Sequence, residues 1–398
     1  MITVDDVAFL RSRHGLKALE NASALALTSD SLIADVADLR RRYGDRASAL
    51  AEVVRSRRRA VGRLREPERW LLTDLSLQQA TTAVVAAHRA AEIARRFGGA
   101  VVHDVTCSVG AELVELADTG GIGAVIGSDL DPVRLAMAAH NVTGVTLLRA
   151  DALTPTSTAD VLIADPARRS SGGSRTFRPD DFSPPLLDVL TTYAGRPIVV
   201  KSAPGLDYQT LRARFGFDGQ VQLTSLDGGV REACLWTELD DGVSQRATVL
   251  RVVDGRLRVE EVTDLESDDV PVGPAGQWII DPDGAIVRAG LVRHWAARHG
   301  LWQLDPKIAY LTGGTVPPGE RGFAVLAQLP LKEKVLRREL AARDCGSLEI
   351  LVRGVDVDPD QLRKRLRLKG SAPFALVLTR IGARGVAFLC EPGWRRPA

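Results

Sequence analysis

Apolar residues recur at three- and four-residue spacing through most of the first 97 residues. LIADVADLRRRYG (32–44) and ASALAEVVRSRRRAVGRL (47–64) fit one-sided helices rich in Ala and Leu. LSLQQATTAVVAAHRAAEIARRF (75–97) predicts a third helix, stopped by Gly98-Gly99. From Ala100 the period changes. AVVHDV, AVIGSD, VTLLRA, VLIADP and PIVVKS are short continuous apolar runs, as expected of buried parallel strands. QVQLTS and EACLWTE follow, joined at Leu226-Asp227-Gly228-Gly229, and predict an antiparallel hairpin. Strands alternating with helices, closed by a hairpin, imply an α/β fold: a Rossmann-like, doubly wound sheet over 98–240, preceded by a helical region over 1–97.

Beyond Asp240 the pattern is less regular. ATVLRVVDGRLRVEEV predicts a hairpin turning at Asp254-Gly255. ESDDVPVGPAG predicts a surface connection, and GAIVRAGLVRHWAARHG a helix stopped by Gly300. These elements make a connecting segment, 241–322. The last part, 323–398, alternates again. FAVLAQLPL, KEKVLRRELAARD, SLEILVRG, DPDQLRKRLRLKG, FALVLTR and GVAFLCE predict β-α-β-α-β-β, a small second α/β module.

Composition narrows the class without naming a chemistry. With 45% hydrophobic residues and mean hydropathy −0.01, the 398-residue chain is globular. No apolar run nears the roughly 20 residues that span a bilayer. The start, MITVDDVAFL, lacks the basic-then-apolar order of a secretory signal, so a cytoplasmic location is expected. Cys107, Cys234, Cys345 and Cys390 form no C-x-x-C pair, and no H-E-x-x-H occurs, so neither a metal nor a disulfide framework is expected. The net charge is only +2, yet just seven of the 52 basic residues are lysine. Arginine suits phosphate geometrically. RSRRRAVGRLR (55–65) and the basic positions Arg363, Lys364, Arg365, Arg367 and Lys369 are therefore read two ways, as solvated helix faces or as phosphate-contacting surfaces.

The candidate chemistry lies at the strand ends. Asp104 follows the first strand, Asp129 ends the second and Asp151 follows the third. Any one of them could cap a helix; three in sequence outline a pocket for a nucleoside-bearing ligand. The first turn, DVTCSVGAEL, has Ser108 where a dinucleotide fingerprint would have glycine, and only Gly110 remains. A pyrophosphate needs close backbone approach at several glycines. A nucleoside joined to an amino acid needs fewer, which points to S-adenosylmethionine. Asp129 is placed for the ribose hydroxyls and Asp151 for the adenine amine. The fourth strand ends in ADPARR. There the Asp165 carboxylate and the Pro166 carbonyl can accept hydrogen bonds from an exocyclic amine and aim its lone pair at a methyl group. Lys201, at the end of the fifth strand, reads as a solvated strand end or a contact to substrate phosphate. Gln78, Gln79, His88 and Arg89 precede the sheet and read as packing or as a cover over the cofactor. Cys107 reads as a small buried filler of the pocket turn.

Residues 101 to about 238 resemble class I S-adenosylmethionine-dependent methyltransferases, nearest the trimethylguanosine-synthase-like group of RNA methyltransferases. DVTCSVG, SDLDPVRLAMAAHN, RADAL and ADPARR carry the likeness. The C-terminal module, with KIAYLTGG, LEILVRG and DPDQLRKRL, is similar to the THUMP-like domain of bacterial proteins of this type. The resemblance implies a cofactor pocket lined by Asp104, Thr106, Cys107, Gly110, Asp129, Leu130, Asp151 and Ala152, with Asp165 and Pro166 as the catalytic pair. In amino-methyltransferases of nucleic acids the Asp-Pro usually continues with Pro and a stacking aromatic. Here Ala167, Arg168 and Arg169 stand in those places, so an arginine plane or Phe177 is expected to stack on the base. Arg168, Arg169, Phe177 and Lys201 make the candidate substrate-binding set.

The leading expectation is an enzyme that methylates RNA, a tRNA or rRNA base, with the flanking regions gripping the RNA. Two alternatives stay open from sequence. One is methylation of a small molecule or protein; the other is an RNA-binding protein whose methyltransferase fold is inactive.

Overall fold

The computed structural model describes residues 2–167 and 181–397. The chain divides into two compact units, Met1–Gln222 with Arg231–Asp241, and Leu223–Val230 with Gly242–Ala398.

The first unit opens with helices α1 (Val4–Arg11), α2 (Arg13–Ser23), α3 (Leu32–Tyr43) and α4 (Ala47–Ala60). Two short caps explain the first pair, which the apolar spacing does not single out. Thr3 and Asp6 form a reciprocal capping box, and Ser12 accepts from the Gly15 amide to start α2. The helix expected over 75–97 is two helices, α5 (Asp74–Gln79) and α6 (Ala83–Arg96). Ala80 and Thr82 between them are extended, with ψ of 131° and 142°. Tertiary bonds hold this break against local helix preference. The Ala83 amide donates to the Arg63 carbonyl at 2.7 Å, and the Thr81 hydroxyl accepts from Lys201. Leu10, Leu19, Leu50 and Val53 pack in one apolar cluster with Val109 and Met137, which ties the N-terminal helices to the sheet layer.

The sheet follows as β1 (Val101–Asp104), α7 (Ala111–Asp118), β2 (Ala124–Asp129), α8 (Pro132–Asn141), β3 (Thr146–Arg149) and β4 (Val161–Ala164). Then come α9 (Leu186–Thr192), β5 (Ile198–Ser202), α10 (Tyr208–Phe215), β6 (Gln220–Leu226) and β7 (Gly229–Trp236). Within the first unit the strand order runs β3-β2-β1-β4-β5-β7. β1 to β5 run parallel, and β7 is antiparallel to β5. This is the α/β Rossmann-like arrangement expected from sequence. The order reverses between β1 and β4, the place where such sheets open a ligand crevice.

In the second unit, β8 (Gln245–Val253) and β9 (Arg256–Thr263) form the expected hairpin, with Asp254 and Gly255 at φ of 51° and 73°. β10 (Trp278–Ile280), β11 (Trp302–Gln303) and β12 (Leu311–Gly313) are short strands that the sequence pattern does not reveal. The helix expected over 284–300 is broken at Gly290, where φ is 74°, into α11 (Gly284–Arg288) and α12 (Val292–Arg298). β13 (Arg321–Pro330), α13 (Glu333–Ala341), β14 (Cys345–Val352), α14 (Pro359–Leu366), β15 (Ala372–Ile381) and β16 (Arg384–Cys390) then follow the expected β-α-β-α-β-β order, with a short β17 (Trp394–Arg395) on β13. Strand order is β11-β12-β10-β13-β16-β15-β14. Leu362 and Leu366 of α14 face the core, while Lys364, Arg365, Arg367 and Lys369 are exposed.

Candidate active site

The ends of β1 to β5 meet in one cavity of about 610 Å³ within the first unit. Asp104, at the end of β1, is buried, and its Oδ1 accepts from the Thr106 amide at 2.9 Å. Burial, with repulsion from Glu112 and Asp165, pushes its carboxyl up to about 7. The chain then turns through Ser108, whose φ of 50° is the left-handed value usually left to glycine. That turn sends the Ser108 amide to Asp129 Oδ2 at 3.0 Å. The Ser108 hydroxyl lies buried in the cavity wall with no hydrogen-bond partner among the described residues.

Asp129, at the end of β2, accepts a second amide, from Asp131 at 2.8 Å. Asp131 in turn caps α8 by accepting from the Val133 and Arg134 amides, with Pro132 as the first helical residue. The motif SDLDPVRLAMAAHN therefore folds locally: one acid starts the helix and the other faces the cavity. A carboxylate has about four acceptor sites, so Asp129 keeps free ones after two amides. Leu130 lines the cavity with 57% of its surface exposed. Asp151 is held by the Leu153 amide at 2.9 Å, and Ala152 beside it is buried.

The other end of the cavity is built from side chains. The Asp165 amide donates to the Thr106 hydroxyl at 2.6 Å, and its Oδ2 accepts from Lys201 Nζ at 2.5 Å. Lys201 also donates to Thr81 Oγ1 at 2.5 Å and lies 3.9 Å from Glu112. Beneath it, the buried Arg89 guanidinium binds both oxygens of Glu112, at 2.7 and 2.9 Å, and donates to Glu232 and to Cys234 Sγ. Burial opposes the charge on Lys201, but Asp165 and Glu112 outweigh it and hold the ammonium above its ordinary range. Ala167 pairs with Ser183 through two backbone hydrogen bonds, at 2.8 and 2.9 Å.

The cavity thus brings together Asp104, Thr106, Cys107, Asp129, Leu130, Asp151, Ala152, Asp165, Pro166 and Lys201. Arg168, Arg169 and Phe177 lie outside the described residues. Three readings change. Gly110 does not line the cavity: at φ of 88° it starts α7, and a Cβ there would sit 3.5 Å from Ala138, so its service is to the turn and to helix packing. Lys201 is not a solvated strand end; it is buried and its ammonium is engaged. Of the run 55–65, Arg57, Arg58 and Arg63 bond backbone carbonyls, Arg59 meets Asp74, and Arg65 meets Glu115 and Asp118. That cluster mostly ties the helical region together. Gln78 and Gln79 do line the cavity, whereas Arg89 is buried in the ion network. Burial pushes the Cys107 thiol up, as suits a small buried filler of the turn. His103 is satisfied by Ser157 and Ser128, at 2.8 and 2.9 Å, and burial depresses it to about 4.

Sequence reasoning missed Ser76, Thr81 and Glu112. The Thr81-Thr82 pair inside an otherwise Ala-rich helix was the available signal for Thr81. Among the described residues no aromatic side chain lines the cavity, no cluster of three His, Cys, Asp or Glu could hold a metal ion, and no helix is long and apolar enough to cross a membrane.

This donor set fits a cationic amino acid joined to a nucleoside. The buried Asp104 carboxyl, which accepts from the Thr106 amide and lines the cavity, suits an ammonium. The unpartnered Ser108 hydroxyl and the Asp129 carboxylate, which keeps acceptor capacity beyond its two amides with Arg134 4.0 Å away, suit ligand polar groups.

Residues 320–392 match the family model described as THUMP domain-like. Two relatives from Mycobacterium tuberculosis, strains CDC 1551 / Oshkosh and ATCC 25618 / H37Rv, are each 51% identical over 370 residues. The match covers 89% of this chain and 99% of each relative, and both relatives are named uncharacterized S-adenosylmethionine-dependent methyltransferases. A crystal structure of a "putative methyltransferase from Porphyromonas gingivalis W83" superposes with a TM-score of 0.72 at 19% identity, over 94% of this chain and 97% of that one. At that identity the likeness concerns the fold.

Proposed function

The chain belongs to the S-adenosylmethionine-dependent methyltransferases, and from that premise we propose that its methyl acceptor is RNA, a tRNA or rRNA base. Within the family we assign it to the trimethylguanosine-synthase-like group, on SDLDPVRLAMAAHN and ADPARR. The cofactor is S-adenosylmethionine, which supplies a methyl group already activated on a sulfonium sulfur.

The observation that carries the reading is the cavity that joins Asp104, Asp129 and Asp151 to Asp165-Pro166, in a chain that also carries a THUMP-like domain. We assign Asp129, Asp151 and Leu130 to the nucleoside, and Asp104, Thr106, Cys107 and Ala152 to the rest of the cofactor wall. Asp165 and the Pro166 carbonyl accept hydrogen bonds from the acceptor amine and orient it, a matter of positioning. We assign phosphate contact and base stacking to Arg168, Arg169 and Phe177 on sequence alone. The exposed Lys364, Arg365, Arg367 and Lys369 support RNA contact by the THUMP-like domain, and the reading puts the protein with cytoplasmic RNA.

Transfer of radiolabelled methyl from S-adenosylmethionine to total RNA of cells lacking the gene tests this. Label should appear in RNA and fall steeply between 50 and about 200 mM salt. Label in protein or small metabolites alone would move the acceptor to those classes. Tight RNA binding without any transfer would make the chain a binding protein.

A further inference from the structure

Lys201 lies on β5, 8% exposed, at the base of the acceptor end. Two of its three donors go to Asp165 Oδ2 and Thr81 Oγ1, both at 2.5 Å. Its other neighbour, Glu112, is gripped at both oxygens by Arg89, which also holds Glu232. Asp165 itself keeps 31% of its side chain exposed and lines the cavity.

We propose that Lys201 is a positioning residue for methyl transfer: it holds Asp165 by one oxygen so that the other is presented to the acceptor. The inference rests on the reading of Asp165 as the acceptor-facing group. Three features carry it. The ammonium is buried and engaged, so it does not reach out to phosphate. Asp165 and Glu112 stabilise its charge, so it does not take the acceptor's proton. Its anchor is rigid, because Arg89, Glu112 and Glu232 are buried and mutually bonded, and pulling any one charge away would strand another. Order therefore passes from this network through Lys201 to the one carboxylate that stays accessible. If Lys201 served stability alone, Glu112 would suffice as its partner, and nothing would require contact with an exposed cavity acid.

The test uses the full chain with Lys201→Met, Lys201→Arg and Thr81→Val. Binding of S-adenosylmethionine is measured by calorimetry, and transfer by kinetics with total RNA from cells lacking the gene. Lys201→Met should lower kcat about 100-fold, the scale of a misplaced reacting group. The Kd for S-adenosylmethionine and the KM for RNA should each stay within about threefold, since neither contact is lost. Lys201→Arg should recover to within about tenfold of the parent, and Thr81→Val should cost a few-fold in kcat. A Lys201→Met protein with unchanged kcat, or one whose loss lies in KM for RNA, overturns the proposal. Crystals of parent and Lys201→Arg or Lys201→Met with S-adenosylhomocysteine give a readout free of RNA. The Asp165 carboxylate should leave its parent pose in the Met variant and keep it in the Arg variant; an unmoved carboxylate in the Met variant overturns the proposal. If Lys201→Met does not fold, the Thr81→Val and Lys201→Arg kinetics decide. If RNA accepts no methyl from the parent protein, the acceptor reading fails while the crystals still judge Lys201.

Discussion

At the cofactor end of the cavity, backbone amides hold each acid: Thr106 for Asp104, Ser108 and Asp131 for Asp129, Leu153 for Asp151. At the acceptor end, side chains hold side chains from distant parts of the chain. Lys201 meets Asp165 across 36 residues and Thr81 across 120, and Arg89 meets Glu232 across 143. The first construction is mostly turns closed within two residues, with one longer bond, Ser108 to Asp129, across 21. The second exists only once the sheet and helices have assembled. Binding the cofactor and aiming the acceptor are therefore separable properties, and substitutions should separate them.

The largest separation is expected at Asp165. Asp165→Ala should lower kcat about 1,000-fold, within the range for loss of a group that acts on the reacting atom. Its Kd for S-adenosylmethionine, read by calorimetry, should stay near the parent value. Joint loss of both would mean that the two ends are one. Next comes Arg89→Leu, which strands Glu112 and Glu232 in the interior. Urea unfolding should show about 3–5 kcal/mol lost, the usual cost of breaking a buried ion pair. A loss under about 1 kcal/mol would show the network to be dispensable.

At the cofactor end, Asp129→Ala should weaken S-adenosylmethionine about 10- to 100-fold, the worth of charge-assisted hydrogen bonds. Turnover at saturating cofactor should change little. The smallest effect concerns Asp104 and pH. Its folded carboxyl, near 7, lies above the ordinary 3.8, so the folded chain holds a proton that the unfolded chain releases. The resulting stability is full below pH 4 and is lost as pH rises towards 7. Asp104→Asn carries no titrating carboxyl there, so melting curves without cofactor should show it gaining on the parent as pH rises from 5 to 7, by at most about 1.4 kcal/mol per pH unit. A margin that does not change with pH would contradict the burial assigned to Asp104.

This contrast also explains what the sequence could tell. Asp104, Asp129, Asp151 and Asp165 were legible because strand periodicity places each at a sheet edge. SDLDPVRLAMAAHN was legible because its cap and first-turn proline are local signals. The C-terminal β-α-β-α-β-β order came from periodicity alone. Thr81, Glu112 and the engaged state of Lys201 were not legible, because their meaning lies in partners far along the chain. The run 55–65 stayed open between a solvated helix face and a phosphate surface because its carbonyl and carboxylate partners are not visible in sequence; Arg55, Arg58 and Arg59 are exposed on the helix, and most of the cluster is engaged within the chain. Gly110 belonged to packing because its neighbours are Ala138 of α8 and Val142 just beyond it, both far along the chain.

Nucleoside mass spectrometry of tRNA and rRNA tests the central claim most directly. It compares cells with the gene, without it, and with the Asp165→Ala version in its place. The account predicts one methylated nucleoside that disappears on deletion and is not restored by Asp165→Ala. Identical nucleoside profiles in all three, with the parent protein shown to be expressed, would contradict RNA as the acceptor.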